Sequence, residues 1–293
     1  MRHDEGTFRG VGGLELYYQR WRPATEPPRA VLAIVHGFGE HSGRYINVVN
    51  HLVPRGYAVY GFDHRGHGRS PGRRGYIKRW AEFRGDVRAF VDMIKQLEPE
   101  RDIFLLGHSL GGLIVLEYAL HYPEGLAGVI ASAPALGEVY VPAHLFLLSR
   151  ILSRIWPGFS RSTGSDGSAL SRDPAVVQAV REDLLRHNRG TARLGTEFTA
   201  AIRWTQAHAA DLQIPLLILH GTADRVTAPE GSRIFFERVT FGDKARYEYE
   251  GGYHEPHNDI DAERVLADVE RWLEQHSHGH MDNKMLTSEV MPE

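Results

Sequence analysis

The sequence predicts an α/β fold: a mostly parallel sheet flanked by helices, with a helical cap inserted in the second half of the chain. Short apolar runs rich in β-branched residues alternate with longer segments of helical period, which is typical of a parallel sheet covered by helices. One interruption, residues 134–212, is much longer than a crossover between neighbouring strands requires. The 293 residues, 42% hydrophobic and 24% charged, are enough for one large domain that carries an insertion.

The predicted strands and helices follow one another in regular order. Residues 7–11 and 14–21, joined at Gly12 and Gly13, predict an antiparallel hairpin at the start. Short apolar runs then predict buried strands at residues 30–35, 57–62, 103–106, 128–131, 215–220 and 246–249. Helical periodicity predicts helices at residues 44–53, 80–96, 110–122, 229–239 and 259–275.

The interruption is expected to be an all-helical cap on a core formed by residues 1–133 and 213–275. Its first helix, residues 143–156, has the pattern of an amphipathic helix. One face holds Leu145, Leu148, Leu152 and Ile155, and another holds Arg150 and Arg154. A loop at residues 158–171 and helices at 174–187 and 195–210 complete the cap. Residues 276–293 have nothing to bury and predict a disordered tail, whose alternating histidines are not expected to be a metal site.

The composition excludes several classes of function. The 34 basic and 37 acidic residues give a formal charge of −3, which leaves no positive surplus for binding nucleic acid. The chain contains no cysteine, so disulfides, thiolate metal sites and cysteine nucleophiles are excluded. Charged residues interrupt the first ten positions, where a signal peptide needs an apolar stretch, and no segment predicts a membrane span. A cytoplasmic protein is therefore expected.

The strongest signal for chemistry is the G-x-S-x-G motif that runs from Gly107 to Gly111 around Ser109. The motif lies directly between a predicted strand and a predicted helix. A sharp strand-to-helix turn needs small residues on both sides of the serine, and it projects the hydroxyl above the carboxyl edge of the sheet. The motif alone occurs by chance, but this context predicts that Ser109 is a nucleophile rather than an ordinary turn serine.

A serine nucleophile needs a base, and the base needs a carboxylate that orients it. The chain order Ser, Asp, His predicts Asp224, in the turn after strand 215–220, as the acid and His254, after strand 246–249, as the base. Asp211 and Asp243 precede their strands and are expected at the opposite edge of the sheet. A zinc site at His254 and His257 is not expected, because no third ligand stands at a motif spacing.

Two backbone amides are expected to stabilise the oxyanion that forms during acyl transfer. One belongs to Leu110, directly after the nucleophile, and the other belongs to Phe38, in the loop after strand 30–35. Losing one such donor typically costs roughly 3 kcal/mol of barrier stabilisation. Asp63, His64 and Arg65, which follow another strand, are expected to pair internally and brace the loop that carries Phe38.

Four segments of the chain form a specific set of motifs: HGFGEHSGRY at residues 36–45, DHRGHGRS at 63–70, GHSLGG at 107–112 and GTAD at 221–224. With them the chain resembles the monoacylglycerol lipase group of the α/β-hydrolase family over most of residues 10–275. The resemblance implies an eight-stranded, mostly parallel sheet with a helical cap over the site. It also implies hydrolysis of monoacylglycerols or related lysolipids to a fatty acid and an alcohol such as glycerol, without a cofactor.

The same resemblance implies an end of the site that holds glycerol. Glu40, Arg44 and His257 occupy positions that in that group help hold the polar glycerol end. The alternative for Glu40 and Arg44, four residues apart at a helix start, is an ordinary surface ion pair. Phe38 stands where relatives commonly have a smaller residue, and the cap sequence is too divergent to transfer any residue, so no acyl-chain preference is implied.

Several alternatives share the same catalytic machinery. A carboxylesterase for short-chain or aryl esters, a lysophospholipase, a peptidase or a carbon–carbon bond hydrolase would use the same three residues. A non-catalytic receptor would keep the pocket but lack a reactive serine. The apolar face of the first cap helix either packs on the core or contacts an acyl chain or a lipid surface, with the arginines towards head groups. The expected partner is a small acyl ester, and the sequence predicts no oligomeric state.

Overall fold

The computed structural model describes residues 1–24, 27–137, 143–162 and 167–277. The strands are β1 (Arg2–Arg9), β2 (Glu15–Arg22), β3 (Val31–Val35), β4 (Ala58–Phe62), β5 (Ile103–His108), β6 (Gly128–Ser132), β7 (Ser160–Ser162), β8 (Arg189–Thr191), β9 (Leu216–Gly221) and β10 (Lys244–Tyr249). The α-helices are α1 (Ile46–Leu52), α2 (Ala81–Leu97), α3 (Leu110–His121), α4 (Ala143–Ile155), α5 (Pro174–Glu182), α6 (Ala192–Ala207), α7 (Pro229–Arg238) and α8 (Ala262–His276).

The predicted eight-stranded, mostly parallel sheet is confirmed. Its strand order is β1-β2-β4-β3-β5-β6-β9-β10. β1 and β2 form the predicted antiparallel hairpin, β2 pairs antiparallel with β4, and every later pairing in this sheet is parallel. Because the six strands β3, β4, β5, β6, β9 and β10 run in one direction, the loops that follow β3, β5, β9 and β10 leave the sheet at the same edge.

The sheet has a hydrophobic core on each face, because successive side chains of a strand point to opposite sides. Ala33 and Val35 of β3 belong to the core that includes residues of α2 and α3, whereas Leu32 and Ile34 belong to the core that includes residues of α1 and α8. All five residues of β3 are buried. This burial on both faces explains why the strand sequence is continuously apolar rather than alternating.

The segment between β6 and β9, residues 134–212, is called the cap segment below. The sequence predicted that it is entirely helical, and the structure differs from this prediction. It contains α4, α5 and α6, but β7 and β8 pair as a short antiparallel ladder between Ser160 and Thr191. The predicted helix at 174–187 ends at Glu182. α4 lies against α6, where the Ser153 and Thr196 hydroxyl oxygens are 2.9 Å apart. The predicted apolar face of α4 is only partly described, since the side chains of Leu145 and Leu148 lie outside the described residues.

Two further boundaries differ from the sequence predictions. The predicted helix at 44–53 is divided into a 3₁₀ turn, Ser42–Tyr45, followed by α1 and a second 3₁₀ turn. His276, expected to begin the tail, is the last residue of α8, and its Nε2 lies 3.0 Å from an oxygen of Asp243. Residues 278–293 of the predicted tail lie outside the described residues. In the part of the chain that is described, no helix is both long and apolar enough to cross a membrane.

Candidate active site

Ser109 stands at a sharp turn between β5 and α3. Its backbone angles, φ 54° and ψ −114°, are rarely adopted by residues that carry a side chain. A Cβ atom on Gly107 would lie 2.3 Å from the Gly111 carbonyl oxygen, and one on Gly111 would lie 1.9 Å from the Val35 carbonyl oxygen. Both flanking positions therefore need glycine, and the turn leaves Ser109 partly exposed at the wall of a cavity.

Asp224 and His254 meet at the same edge of the sheet, in the loops after β9 and β10. The Nδ1 atom of His254 lies 2.8 Å from Oδ2 of Asp224, and both side chains are buried. The other oxygen, Oδ1, accepts hydrogen bonds from the amides of Val226 and Thr227, at 2.7 and 3.0 Å. Burial alone would raise the pKa of Asp224, but the hydrogen bonds from histidines and backbone amides lower it, so the carboxylate is charged.

The structure therefore brings together the residues that the sequence predicted as nucleophile, base and acid. Ser109 and His254 line one cavity, and Asp224 lies behind the imidazole ring of His254. With Nδ1 directed at Asp224, Nε2 is the nitrogen of His254 left for the serine. The competing carboxylates lie elsewhere: Asp211 is exposed in a turn before β9, and Asp243 pairs with His276.

The two predicted oxyanion donors flank the nucleophile. Leu110 is the first residue of α3, so its amide has no partner within the helix. Phe38 lies in the loop after β3 and lines the cavity beside Ser109. Within the described residues, neither amide donates a hydrogen bond to another protein group. The preceding amide, that of Gly37, donates to Oε1 of Glu40 at 2.5 Å and so fixes the loop that carries Phe38.

The loop after β4 braces this region, but Asp63, His64 and Arg65 bond to other segments and not to one another as the sequence predicted. Oδ1 of Asp63 accepts hydrogen bonds from the amide and the hydroxyl of Ser42, at 2.8 and 2.7 Å. The amide of His64 donates to Nε2 of His36, at 3.0 Å, next to the Phe38 loop. Arg65 pairs instead with Asp86 of α2, at 2.6 Å. These buried contacts join the loops after β3 and β4.

Glu40 and Arg44 are not an exposed ion pair, because both form a buried network with Glu255. The Nη1 atom of Arg44 lies 2.9 Å from Glu40 Oε2 and 2.6 Å from Glu255 Oε1, and Nη2 lies 2.8 Å from Glu255 Oε2. Burial would raise the pKa of Glu255, but the Arg44 guanidinium lowers it to about 2. Two carboxylates and one guanidinium leave a net charge of −1 at this end of the cavity.

His257, predicted to help hold the polar end of a substrate, lies behind the cavity wall. Its ring stacks on Tyr45 at a centroid distance of 4.9 Å and meets His108 edge-on at 5.1 Å. Both ring nitrogens are buried and have no hydrogen-bond partner among the described residues. Burial lowers the pKa of His257, so its ring is neutral.

The cap segment closes the opposite side of a cavity of about 770 Å³. Its wall combines apolar and charged side chains; the cap residues concerned include Leu170, Val180, Arg181, Asp183, Arg186 and His187. The amide of His187 donates to the carbonyl of Gly39 at 3.0 Å, so the cap contacts the same loop that carries Phe38. The amide of Glu255 donates to the carbonyl of Leu170 at 2.8 Å, which joins the cap to the loop of His254.

Sequence reasoning missed four residues that the structure adds to this site. They are Arg186 and Glu255 at the cavity wall, and His220 and Thr227, which contact Asp224. A charged residue next to the predicted base was a usable signal for Glu255, and the histidine four positions before Asp224 was one for His220. For Arg186 and Thr227 no motif was available.

The chain is similar to known hydrolases along nearly its whole length. The family model described as serine aminopeptidase, S33, matches residues 26–261. The monoacylglycerol lipase of Mycolicibacterium smegmatis is 36% identical over 274 residues, which are 93% of this chain and 97% of that protein.

Two solved structures are similar to the fold described here. The crystal structure of Paleococcus ferrophilus monoacylglycerol lipase matches with a TM-score of 0.81 at 39% identity, and covers 90% of this chain and 100% of that chain. A soluble variant of monoglyceride lipase from Saccharomyces cerevisiae, in complex with a substrate analog, matches with a TM-score of 0.82 at 25% identity, and covers 92% and 94% respectively.

Proposed function

The chain belongs to the serine aminopeptidase S33 family and to the monoacylglycerol lipase group of α/β-hydrolases, and from this we propose that it hydrolyses the ester bond of monoacylglycerols. It is a serine ester hydrolase. The observation that carries the proposal is the convergence of Ser109, His254 and Asp224 at one cavity, with the serine in a strained turn. No residue of this mechanism requires a cofactor.

The proposed reaction is acyl transfer in two steps. The oxygen of Ser109 attacks the ester carbonyl carbon while its proton passes to Nε2 of His254, and Asp224 stabilises the imidazolium. The amides of Phe38 and Leu110 hold the carbonyl oxygen as it becomes negative. The bond to the alcohol then breaks, and the proton on His254 goes to the departing glycerol oxygen. Water repeats the sequence on the acyl-enzyme and releases the fatty acid.

We further propose that the glycerol end of the substrate binds between Glu40, Arg44 and the cap residue Arg186, with His257 packed against Tyr45 from behind. Both Nη1 and Nη2 of Arg44 already contact the carboxylates of Glu40 and Glu255. Arg186, in contrast, forms no ion pair with any carboxylate of the described residues; Nη1 lies 3.4 Å from the Val180 carbonyl, and Nε has no partner. Burial, and secondly Arg44, lower the pKa of Arg186. Its free N–H groups suit the hydroxyls of glycerol.

Charge favours a neutral alcohol at this position. The network of Glu40, Arg44 and Glu255 has a net charge of −1, which Arg186 balances. A phosphate group would bring further negative charge beside two buried carboxylates. The acyl chain then binds along the apolar part of the cavity wall, where Phe38, Leu170 and Val180 lie. Each methylene buried there contributes roughly 0.8 kcal/mol.

We also propose that the cap segment contacts a lipid surface through the end of α4. Ile155 and Trp156 are 75% and 59% exposed, and Ile151 is 46% exposed. Arg150 and Arg154 on the same helix are exposed as well. Apolar side chains flanked by arginines suit an interface at which a poorly soluble acyl ester is presented. Leu152 is half-buried, so the face predicted from the sequence is divided between packing and solvent.

A substrate panel tests the proposed activity. Monoacylglycerols of increasing chain length, methyl esters of the same acids, lysophospholipids, p-nitrophenyl acetate and an amino-acid p-nitroanilide are assayed side by side, with Ser109→Ala as the blank. We expect the highest kcat/KM for a monoacylglycerol. A maximum for the acetate or for the anilide would replace the proposal with an esterase or a peptidase. Undiminished turnover by Ser109→Ala, or no rapid labelling of Ser109 by a fluorophosphonate, would reject the serine mechanism altogether.

A further inference from the structure

A second buried histidine contacts the carboxylate of the proposed triad. His220, the fifth residue of β9, is fully buried. Its Nε2 atom lies 3.1 Å from Oδ2 of Asp224 and 3.1 Å from the carbonyl oxygen of Thr227. Its Nδ1 atom lies 2.8 Å from the hydroxyl of Ser232 in α7. No step of the proposed mechanism uses this ring.

The tautomer of His220 follows from its neighbours. The oxygens of a charged carboxylate and of a backbone carbonyl only accept hydrogen bonds. The Nε2 atom of His220 faces one of each, on Asp224 and Thr227, and therefore carries a proton. The hydroxyl of Ser232, which also lies 2.8 Å from the carbonyl oxygen of Pro229, holds the ring at Nδ1. The ring is therefore fixed at both nitrogens, with an N–H group aimed at Asp224.

His220 and His254 contact the same oxygen of Asp224. Oδ2 lies 2.8 Å from Nδ1 of His254, 2.8 Å from the hydroxyl oxygen of Thr227 and 3.1 Å from Nε2 of His220. Each donor takes part of the negative charge of that oxygen. The charge left to stabilise a protonated His254 depends on how strongly His220 binds Asp224.

We propose that His220 is a positioning residue, which orients the Asp224 carboxylate towards His254 and limits the negative charge that this carboxylate offers to it. The N–H bond of His220 thereby weakens the hydrogen bond between Asp224 and His254, compared with a carboxylate that is not shared. The proposal rests on the proposed triad, but it does not depend on which acyl ester is the substrate.

Three other ionisable groups lie near His254. His108, from β5, lies at a ring-centroid distance of 4.7 Å from His254, and His257 contacts His108 from the loop after β10. Burial, with His254 second, lowers the pKa of His108 to about 3, and burial lowers that of His257. Glu255 is charged and paired with Arg44. The test therefore compares pH–rate profiles between variants in which these neighbouring groups are unchanged.

Two substitutions at one position separate the hydrogen bond from the shape of the side chain. In His220→Gln an amide N–H can replace Nε2–H at Asp224, whereas in His220→Asn the amide reaches only the position of Nδ1, near Ser232. We expect His220→Asn to move the acid limb of kcat/KM for p-nitrophenyl butyrate upwards by about half to one pH unit and to lower kcat roughly tenfold. His220→Gln is expected to stay close to the unmodified protein, and KM to change little in either variant.

Ser232→Ala provides a second test that leaves His220 in place. It removes the contact at Nδ1, so the ring is held less firmly, and the acid limb is expected to move in the same direction by a smaller amount. An acid limb that stays unchanged in His220→Asn and Ser232→Ala, or an equal shift in the Asn and Gln variants, would overturn the proposal. Failure of the triad itself is a separate result, because it would appear as activity remaining in Ser109→Ala.

Discussion

Ser109 shows how a single residue combines strain with function. A serine at φ 54° and ψ −114° is held in place by glycines that permit the chain to turn within one residue and by the helix that follows. Backbone conformations of this kind typically cost 1–3 kcal/mol and persist only where the surrounding structure imposes them. The free-energy cost of this backbone conformation can therefore be measured by comparing variants of Ser109.

Ser109→Gly and Ser109→Ala are expected to differ in stability but not in activity. Both remove the hydroxyl and should lower kcat by several orders of magnitude, on the order of 10⁵-fold. Alanine keeps the strained Cβ, whereas glycine adopts this conformation freely, so the free energy of unfolding should be about 1 kcal/mol higher for Ser109→Gly than for Ser109→Ala. Urea unfolding of the two variants measures this difference. A glycine variant less stable than the alanine variant would show that the turn is not strained.

Arg186 is the residue on which the proposed choice of alcohol depends most directly. Arg186→Met keeps much of the length of the side chain but removes its N–H groups, so kcat/KM for a monoacylglycerol should fall roughly tenfold, chiefly through KM. The methyl ester of the same fatty acid has no glycerol hydroxyls and should be unaffected. Arg189→Met, at an exposed position of the same cap segment, serves as the control. An equal loss on both esters, or a larger loss on a lysophosphatidate, would contradict binding of a neutral glycerol end by Arg186.

At the scale of elements, the sequence predicted those parts whose stability comes from a repeating pattern. The buried strands β3, β4 and β9 and the helices α2, α3 and α7 agree with the predictions within two residues, because each has a continuous apolar run or a helical period. β7 and β8 were missed, since three residues such as Ser160–Ser162 carry no alternation and are stabilised only by each other and by their neighbours.

The predicted helix at 174–187 shows why the cap residues of the site could not be found. After Glu182 the chain makes hydrogen bonds to other segments instead of helical ones: Nε2 of His41 lies 2.9 Å from Oδ2 of Asp183, and the amide of His187 donates to Gly39. These partners lie about 140 residues away, so no local pattern records them. In contrast, the predicted nucleophile, acid and base lie in loops after strands, whose placement follows from sheet topology.

The exposed end of α4 leads to a prediction about lipid surfaces. Ile155→Ser together with Trp156→Ser should lower binding to vesicles of phosphatidylcholine and phosphatidylglycerol by roughly tenfold or more, because the apolar area that would enter the interface is lost. Turnover of p-nitrophenyl butyrate should be unchanged. Ile260→Ser, at a position 62% exposed just before α8, is the matched control. Co-sedimentation measures the binding, and no association of the unmodified protein, or the same loss in the control, would contradict the proposal.

For the whole molecule, the most uneven feature is the distribution of its 17 histidines. Several lie at the carboxyl edge of the sheet and are fully buried, among them His36, His64, His67 and His108. His36, His64 and His67 pack against one another, with ring centroids between 4.3 and 5.9 Å apart. Burial lowers the pKa of each of these four rings, so they are neutral in the folded chain. The active-site edge is therefore built from uncharged imidazoles whose protonation opposes folding.

Mild acid is consequently expected to unfold the protein well before its carboxylates are neutralised. An unfolded histidine has a pKa of about 6.5, whereas burial lowers the pKa of His36 to about 4 and that of His108 to about 3. Between these values the unfolded chain binds more protons than the folded chain, so the free energy of unfolding falls as pH decreases from 7, by about 2 kcal/mol per such histidine at pH 5. Carboxylates with a lowered pKa, such as Glu255 at about 2, lose their contribution only below about pH 4.5.

Urea unfolding at pH 7 and pH 5 measures this fall in the free energy of unfolding. Substitution of one buried histidine then shows how much of the fall comes from that residue. In His108→Asn the amide can still donate to the carbonyl of Ser132, which Nδ1 of His108 approaches at 3.2 Å, but it cannot be protonated. The difference in unfolding free energy between the two pH values should then shrink by about 2 kcal/mol. His3→Asn, at an exposed position, is the control. If both variants kept the full dependence on pH, His108 would not be a source of the acid sensitivity, and the loss would have to come from other buried groups at the sheet edge.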